Sequence, residues 1–336
     1  YSPSELRLYL LDMKPGGTEF QVYTALPHAE VIGLGGAAEY GASVVHRVAA
    51  ELEERGRRFR ALGVDKFPEF RELSEEPLPR VVLVVDEFQA LGEGTSRSRN
   101  AAIRDLEIIA SRGRSFGIHM MLASQRLRVG PEQVLSDQAR AECSLRIAFA
   151  LNESKDAERF LQHDPEDVVR LKTGQAVFED AGSYPSAHAI VQVALSEKEL
   201  IRKHVSRLAS AHASRLPRVF SSYDAPSIQG NTVLSRCAAE PLDQPTRALQ
   251  LFLGEAMDAD GTPIAFTLKR DVGANLLVVG PEDSARGVVL GACGSLLLQT
   301  APSERRLVVV NLSDDESSEY SHFNVLQNLG GSDVTV

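Results

Sequence analysis

The run Arg80-Val-Val-Leu-Val-Val-Asp86-Glu87-Phe88 constrains this chain more than any other stretch. Five consecutive apolar residues, four of them valine, lie between Pro79-Arg80 and two carboxylates. β-Branched side chains favour a strand, and apolar residues on both alternating faces need cover on both sides. That predicts a central strand of a parallel sheet, with helices packed above and below. Open α/β sheets gather their ligands at the carboxyl ends of their strands, where Asp86 and Glu87 stand. One acid to hold magnesium and a second to orient or deprotonate water is what nucleotide hydrolysis requires. The plain alternative is a buried strand that ends in two solvated acids.

The flanking sequence repeats the same grammar. Leu6-Arg-Leu-Tyr-Leu-Leu11 predicts a strand, and Asp12-Met-Lys14-Pro-Gly-Gly17 a Gly-rich turn at its end. Taken singly, Asp12 and Lys14 read as turn formers. Val31 to Leu34 predicts a short strand, followed by a helix over 37–62 with Val44, Val45, Val48 and Leu52 as its apolar stripe. Arg55, Arg57, Arg58 and Arg60 then fall on its solvated face. Beyond a polar loop at 92–100, a helix over 101–112 ends in Arg112-Gly113-Arg114. The strand Ile118 to Ala123 leads into Ser124-Gln125-Arg126, polar groups suited to sensing a γ-phosphate. A core strand at 145–150, a helix at 153–161 and an outer strand at 174–178 complete a strand-helix-strand pattern.

Composition narrows the class. A chain of 336 residues allows roughly two domains. Its 43% hydrophobic and 24% charged content is that of an ordinary globular protein. Cys143, Cys237 and Cys293 lie far apart with no metal-like spacing, which fits a reducing, cytoplasmic compartment. No apolar run approaches the ~20 residues of a membrane span. A net charge of −10 excludes blanket electrostatic attraction to nucleic acid, so any DNA contact needs local basic patches. The opening without methionine suggests that the chain starts inside a longer protein.

Several pieces in this order resemble the FtsK/SpoIIIE branch of the FtsK–HerA family of ring-forming, RecA-like motor ATPases. They are Leu-Leu-Asp12-Met-Lys14, Glu19-Phe-Gln-Val-Tyr23, Leu26-Pro27-His28 and Ala50-Glu51-Leu-Glu-Glu-Arg55 through Val64. Leu-Val-Val-Asp86-Glu87-Phe88, Arg112-Gly-Arg114-Ser-Phe-Gly117-Ile-His119, Leu-Ala-Ser124-Gln125-Arg126, Arg146-Ile-Ala-Phe149 and Gly174-Gln-Ala-Val-Phe178 follow. Each is weak alone; their order over residues 1–195 carries the match. The resemblance implies a RecA-like P-loop NTPase that uses ATP and Mg2+ and assembles as a ring, a hexamer. Asp86 would be the magnesium acid, Glu87 the catalytic glutamate, and Gln125 the sensor beside Ser124. Arg112, Arg114 and Arg146 would be the candidates for an arginine acting in trans, with Asp12 and Lys14 near the nucleotide.

One element of the family is missing. The phosphate loop G-x-x-x-x-G-K-[ST], whose amides and lysine cradle the β- and γ-phosphates, occurs nowhere in residues 1–336. The expectation is a chain that begins just downstream of it and has no ATPase activity by itself.

Residues 196–240 read as a helix and a Pro- and Ser-rich join. Short strands at 248–258 and 264–268 precede Asn275-Leu-Leu-Val-Val-Gly280, a helix through Leu298 and a strand from Arg306 to Asn311. Strand, Gly loop, helix, strand is the P-loop order. Gly280 fits the first glycine, but Ala285, Arg286 and Gly287 stand where glycine, lysine and a hydroxyl residue belong. Glu282 and Asp283 would turn negative charge toward a phosphate. Residues 241–336 therefore read as the start of a second, degenerate RecA-like domain, with Gly280 and Arg286 as its candidate nucleotide contacts.

Three functions follow. The resemblance favours an ATP-driven motor that moves double-stranded DNA through the ring, gripping phosphates rather than reading bases. The tandem arrangement also suits a protein-export motor of the type VII secretion kind. The third is a non-catalytic nucleotide-binding scaffold, which the degenerate second half suits and the Asp86-Glu87 pair opposes.

Overall fold

The computed structural model describes residues 1–125, 135–151, 170–180, 189–213, 215–224, 248–268, 275–280, 282–301, 306–308 and 334–335, and the single positions 161, 168, 235, 239, 310 and 326. It divides into two compact units, Tyr1–Asp224 and Ala225–Val336.

The first unit is built on a five-stranded parallel sheet. Its strands are β1 (Leu6–Asp12), β2 (Ala29–Leu34), β3 (Arg80–Asp86), β4 (Ile118–Leu122) and β8 (Arg218–Ser221), in the order β4-β3-β1-β2-β8. β1 pairs with β3 in register from Leu6↔Arg80 to Asp12↔Asp86, so the two strands end side by side on two aspartates. The alternation of apolar residues decides what covers each face. Tyr9, Leu11, Val81, Leu83 and Val85 are buried. That face carries α1 (Ala38–Leu62), since Tyr40 meets the strands at Gly33 and Leu11, and α3 (Ser96–Arg112) packs beside α1. On the opposite face, Leu10, Ile32 and Val205 join Leu26 and Ala29 in a second cluster, supplied by the helix α5 (Lys198–Ala211) and the short 3-10 turn Glu19–Tyr23.

Arg55 departs from the sequence expectation. It points inward from α1, is 1% exposed, and donates to the carbonyls of Phe116 (2.8 Å) and Pro79 (2.7 Å) while its Nη2 meets Glu51 Oε1 at 2.6 Å. The guanidinium satisfies the backbone ends that feed β3 and β4, and its helix turn is not solvated there.

The remaining strands of this unit do not extend the parallel sheet. β5 (Arg146–Phe149), β6 (Gln175–Glu179) and β7 (Ala189–Gln192) form a separate antiparallel sheet in the order β5-β6-β7. One face packs Ala148 and Val177 on Leu161 and Val168, while Ile147 and Phe149 on the other are exposed. The strand-helix-strand expectation therefore fails after β4, because β5 and β6 find each other as partners. The helix expected at 153–161 falls mostly outside the described residues. Helix α3 begins at Ser96, five residues before the expected start, because the Thr95 hydroxyl accepts the Ser98 N–H at 3.3 Å and caps it. β8 brings residues 218–221 into the first sheet beside β2, so the first unit extends as far as Asp224 into the stretch read as a join.

The second unit contains an antiparallel pair, β9 (Leu249–Glu255) and β10 (Pro263–Leu268), packed on helix α6 (Glu282–Gln299). The Gln299 and Ser295 side chains of α6 bond the β9 backbone at Gln250 and Phe252. Leu307–Val308 pairs in parallel with Val334–Thr335. Residues 275–279 form no strand, and Leu277 and Val279 are exposed. The strand that should lead into a phosphate loop is absent there, since no described neighbour supplies its hydrogen bonds. Asn311 and the side chains of Glu282 and Asp283 lie outside the described residues.

Candidate active site

The carboxyl ends of β1, β3 and β4 meet at one edge of the parallel sheet. There the backbone reverses at Glu87, whose φ of 53° and ψ of 47° make it the one non-glycine residue with positive φ among those described. A side chain in this region costs roughly 1–3 kcal/mol, strain that persists only where the surroundings enforce it. Here the enforcement is backbone pairing. Ala123 N–H donates to Val85 O at 2.9 Å, and Phe88 N–H to Ala123 O at 3.1 Å, latching the end of β3 to the end of β4. The chain then enters the 3-10 turn Phe88–Glu93.

The Glu87 side chain, 8% exposed, turns back toward β4. Its Oε2 accepts from the Gln89 amide nitrogen and from the Gln125 backbone N–H at 3.4 Å. Gln89 Oε1 in turn accepts the Ser124 hydroxyl at 2.5 Å. Gln89 was not singled out by sequence; its role depends on a residue 35 positions away, and no local pattern marks it.

Asp86 is half-buried and accepts the Glu87 N–H at 3.1 Å. Burial pushes its carboxyl above the ordinary range, and the negative charges of Glu87, Asp12 and Glu19 add to the rise. Such a carboxylate gains from a cation. Among the described residues no three His, Cys, Asp or Glu side chains converge as a metal cage. Magnesium commonly takes only one or two protein carboxylates, with phosphate oxygens and waters completing its shell. Asp86 fits that ion.

Asp12, 1% exposed, has a different occupation. It accepts the backbone N–H groups of Lys14 (3.2 Å) and Glu19 (2.9 Å), so it builds the turn after β1. Gly17 is required beside it, since a Cβ there would lie 2.1 Å from Asp12 Oδ1. Lys14 is exposed at this edge, and so is Gln125.

The three candidate arginines separate. Arg112 ends α3 and Arg114 lies just beyond it, at the opposite edge of the sheet where β4 begins; Arg112 pairs with Glu53 at 2.7 Å and Arg114 is exposed. Arg146 is buried, with Nη1 3.9 Å from the buried Glu179 carboxylate and donors to the carbonyls of Cys143 and Arg140. These contacts tie Arg146 to β6 and leave it buried in this unit. In the second unit, Gly280 is exposed and Arg286 is half-buried on α6.

Residues 1–77 match the FtsK/SpoIIIE family. The ESX secretion system protein EccC of Geobacillus thermodenitrificans is 28% identical over 170 residues, which is 48% of this chain and 11% of that protein. A DNA translocase FtsK of Streptococcus agalactiae is 31% identical over 186 residues, 52% of this chain and 22% of that one. The chain therefore spans a minor part of each relative's length. Among solved structures, EssC (ATPases 2 and 3) from G. thermodenitrificans superposes with a TM-score of 0.54 at 19% identity, over 100% of this chain and 59% of that one. The cytoplasmic domain of the Thermomonospora curvata type VII secretion ATPase EccC gives 0.58 at 22% identity, over 94% and 38%. At these identities the likeness to solved structures establishes the RecA-like fold alone. With the sequence match and the parallel sheet together, the first unit of this chain is similar to the FtsK/SpoIIIE family over residues 1–77.

Proposed function

We propose that this chain supplies the hydrolytic edge of an ATP-driven translocation motor. The observation that carries the reading is the adjacency of Asp86, with its raised proton affinity, to a buried Glu87 held in a strained turn at the end of β3. Asp86 holds the magnesium ion that accompanies ATP. Glu87 accepts a proton from, or orients, the water that attacks the γ-phosphate, and Ser124 and Gln125 stand where that phosphate would be sensed. The phosphate cradle must come from outside these 336 residues, since no phosphate-loop motif is present. Among the described residues β4 pairs only with β3, and that open edge is the natural place for it, since an unpaired edge strand is a template for another strand. The isolated chain is then inactive, and robust magnesium-dependent turnover by it would contradict this. Arg112 and Arg114 lie too far round the sheet to serve their own Glu87, which suits action on a neighbouring subunit of a ring.

For cargo, double-stranded DNA is the first reading, supported by the FtsK relatives that align over about half of the chain. Export of a polypeptide is the second, supported by the secretion-system EccC relative that aligns over about half of the chain. ATP hydrolysis by the complete protein, with and without linear duplex DNA, separates them. Stimulation that weakens as salt is raised supports DNA. Turnover indifferent to DNA supports a polypeptide, and no turnover under any condition leaves the scaffold.

A further inference from the structure

We propose that Gln89 is a positioning residue that fixes the Glu87 carboxylate in one pose and ties that pose to the Ser124 hydroxyl at the end of β4. The inference rests on Glu87 acting as the base, as proposed above.

The polarity of the chain of hydrogen bonds is determined by chemistry. An ionised Glu87 only accepts, so the Gln89 amide must present its NH2 group to Oε2. Its carbonyl oxygen is thereby turned to Ser124, whose hydroxyl donates to it. Protons point one way, from Ser124 to Gln89 to Glu87. Both donors that reach Glu87, the Gln89 amide and the Gln125 N–H, converge on Oε2. No hydrogen bond among the described residues engages Oε1, and that oxygen is left to take the proton of a water. Anchoring one carboxylate oxygen so that the other faces the reacting group is how a base is preorganised. The placement of Gln89 follows from the same strained reversal. Glu87 adopts the left-handed conformation, the 3-10 turn begins at Phe88, and the side chain two residues on swings back between the ends of β3 and β4. Ser124 also stands in the segment proposed to read the phosphate. A hydroxyl has a single proton, so a phosphate oxygen that takes it withdraws it from Gln89. The base and the phosphate are thus linked through one amide.

The test compares steady-state ATP hydrolysis by the complete protein and its Gln89→Met, Ser124→Ala, double and Glu87→Gln variants. Methionine keeps the length and volume of glutamine and removes both hydrogen bonds. The expected result is a kcat lower by about tenfold or more in Gln89→Met with the KM for ATP unchanged, because only the pose of the base is lost. The double variant should lose little beyond the larger single loss, as expected for residues acting as a unit. An unchanged kcat in Gln89→Met while Glu87→Gln is inactive overturns the inference and leaves the base assignment standing. So does a fall in kcat matched by a rise in KM or by a lowered melting temperature, which marks a structural role, and so does full additivity in the double variant. Wild-type turnover in Glu87→Gln overturns the base assignment itself.

Discussion

At the residue scale the site is a set of side chains whose surroundings set their chemistry. The place of Asp86 and Glu87 at the carboxyl end of β3 was legible in the sequence, because an apolar β-branched run bounded by an acid pair marks where a strand stops. Asp12 was legible as a turn former, but its tight fit was not. Gly17→Ala would drive a methyl into the Asp12 carboxylate, and a loss of about 1–3 kcal/mol is expected, as for other overpacked sites. Urea unfolding checks it; an unchanged midpoint would show that the turn yields. The burial of Arg146 was not legible, since a sequence shows a charge but not the Glu179 that lies opposite it across β5–β6. His119 offers a test in pH. His119 is exposed on β4, but partial desolvation and then the charges of Arg80 and Arg114 hold its imidazole below the ordinary value, an effect that solvent screening keeps small. The unfolded chain then binds this proton more readily than the fold, so stability is complete above the unfolded value of about 6.5 and is lost as pH falls below it. Replacing His119 with Gln should remove that part of the acid loss; parallel unfolding curves for both proteins between pH 7.5 and 5.5 would refute the assignment.

At the element scale four strands of the first sheet were read from sequence, because short apolar runs ending in turns are local signals. Its neighbours were harder. β5 and β6 carry the same kind of run, yet pair antiparallel with each other; pairing is decided by partners distant in sequence. The early start of α3 was hidden in a polar loop whose Thr95 acts as a cap. Arg55 shows how far one inward-facing cation ties elements together, joining α1 to the entries of β3 and β4. Arg55→Met should cost about 3 kcal/mol, because two buried carbonyls and Glu51 lose their partner at once. Lysine should recover only part of it, since a single ammonium cannot reproduce the forked geometry. A loss under about 1 kcal/mol in chemical denaturation would mean water replaces the guanidinium.

At the scale of the whole molecule the informative feature is what the first sheet leaves open. Among the described residues β4 pairs only with β3, and Met121 on its face is 63% exposed. Ala123 donates inward to Val85, so by alternation the amides of Met120 and Leu122 point away from β3. Those two amides should exchange quickly in this chain and become protected in the complete protein if the proposed strand carrying the phosphate loop adds to the edge. Equal exchange in both would contradict that placement. No helix among the described residues is long and apolar enough to cross a membrane. The proposed hydrolysis stands on Glu87. The direct test is ATP binding and single-turnover hydrolysis by the complete protein beside its Glu87→Gln variant. The variant is expected to bind ATP with the affinity of the wild type and to hydrolyse it at least about a hundredfold more slowly. Hydrolysis at the wild-type rate by the variant would place the base elsewhere and contradict the proposal.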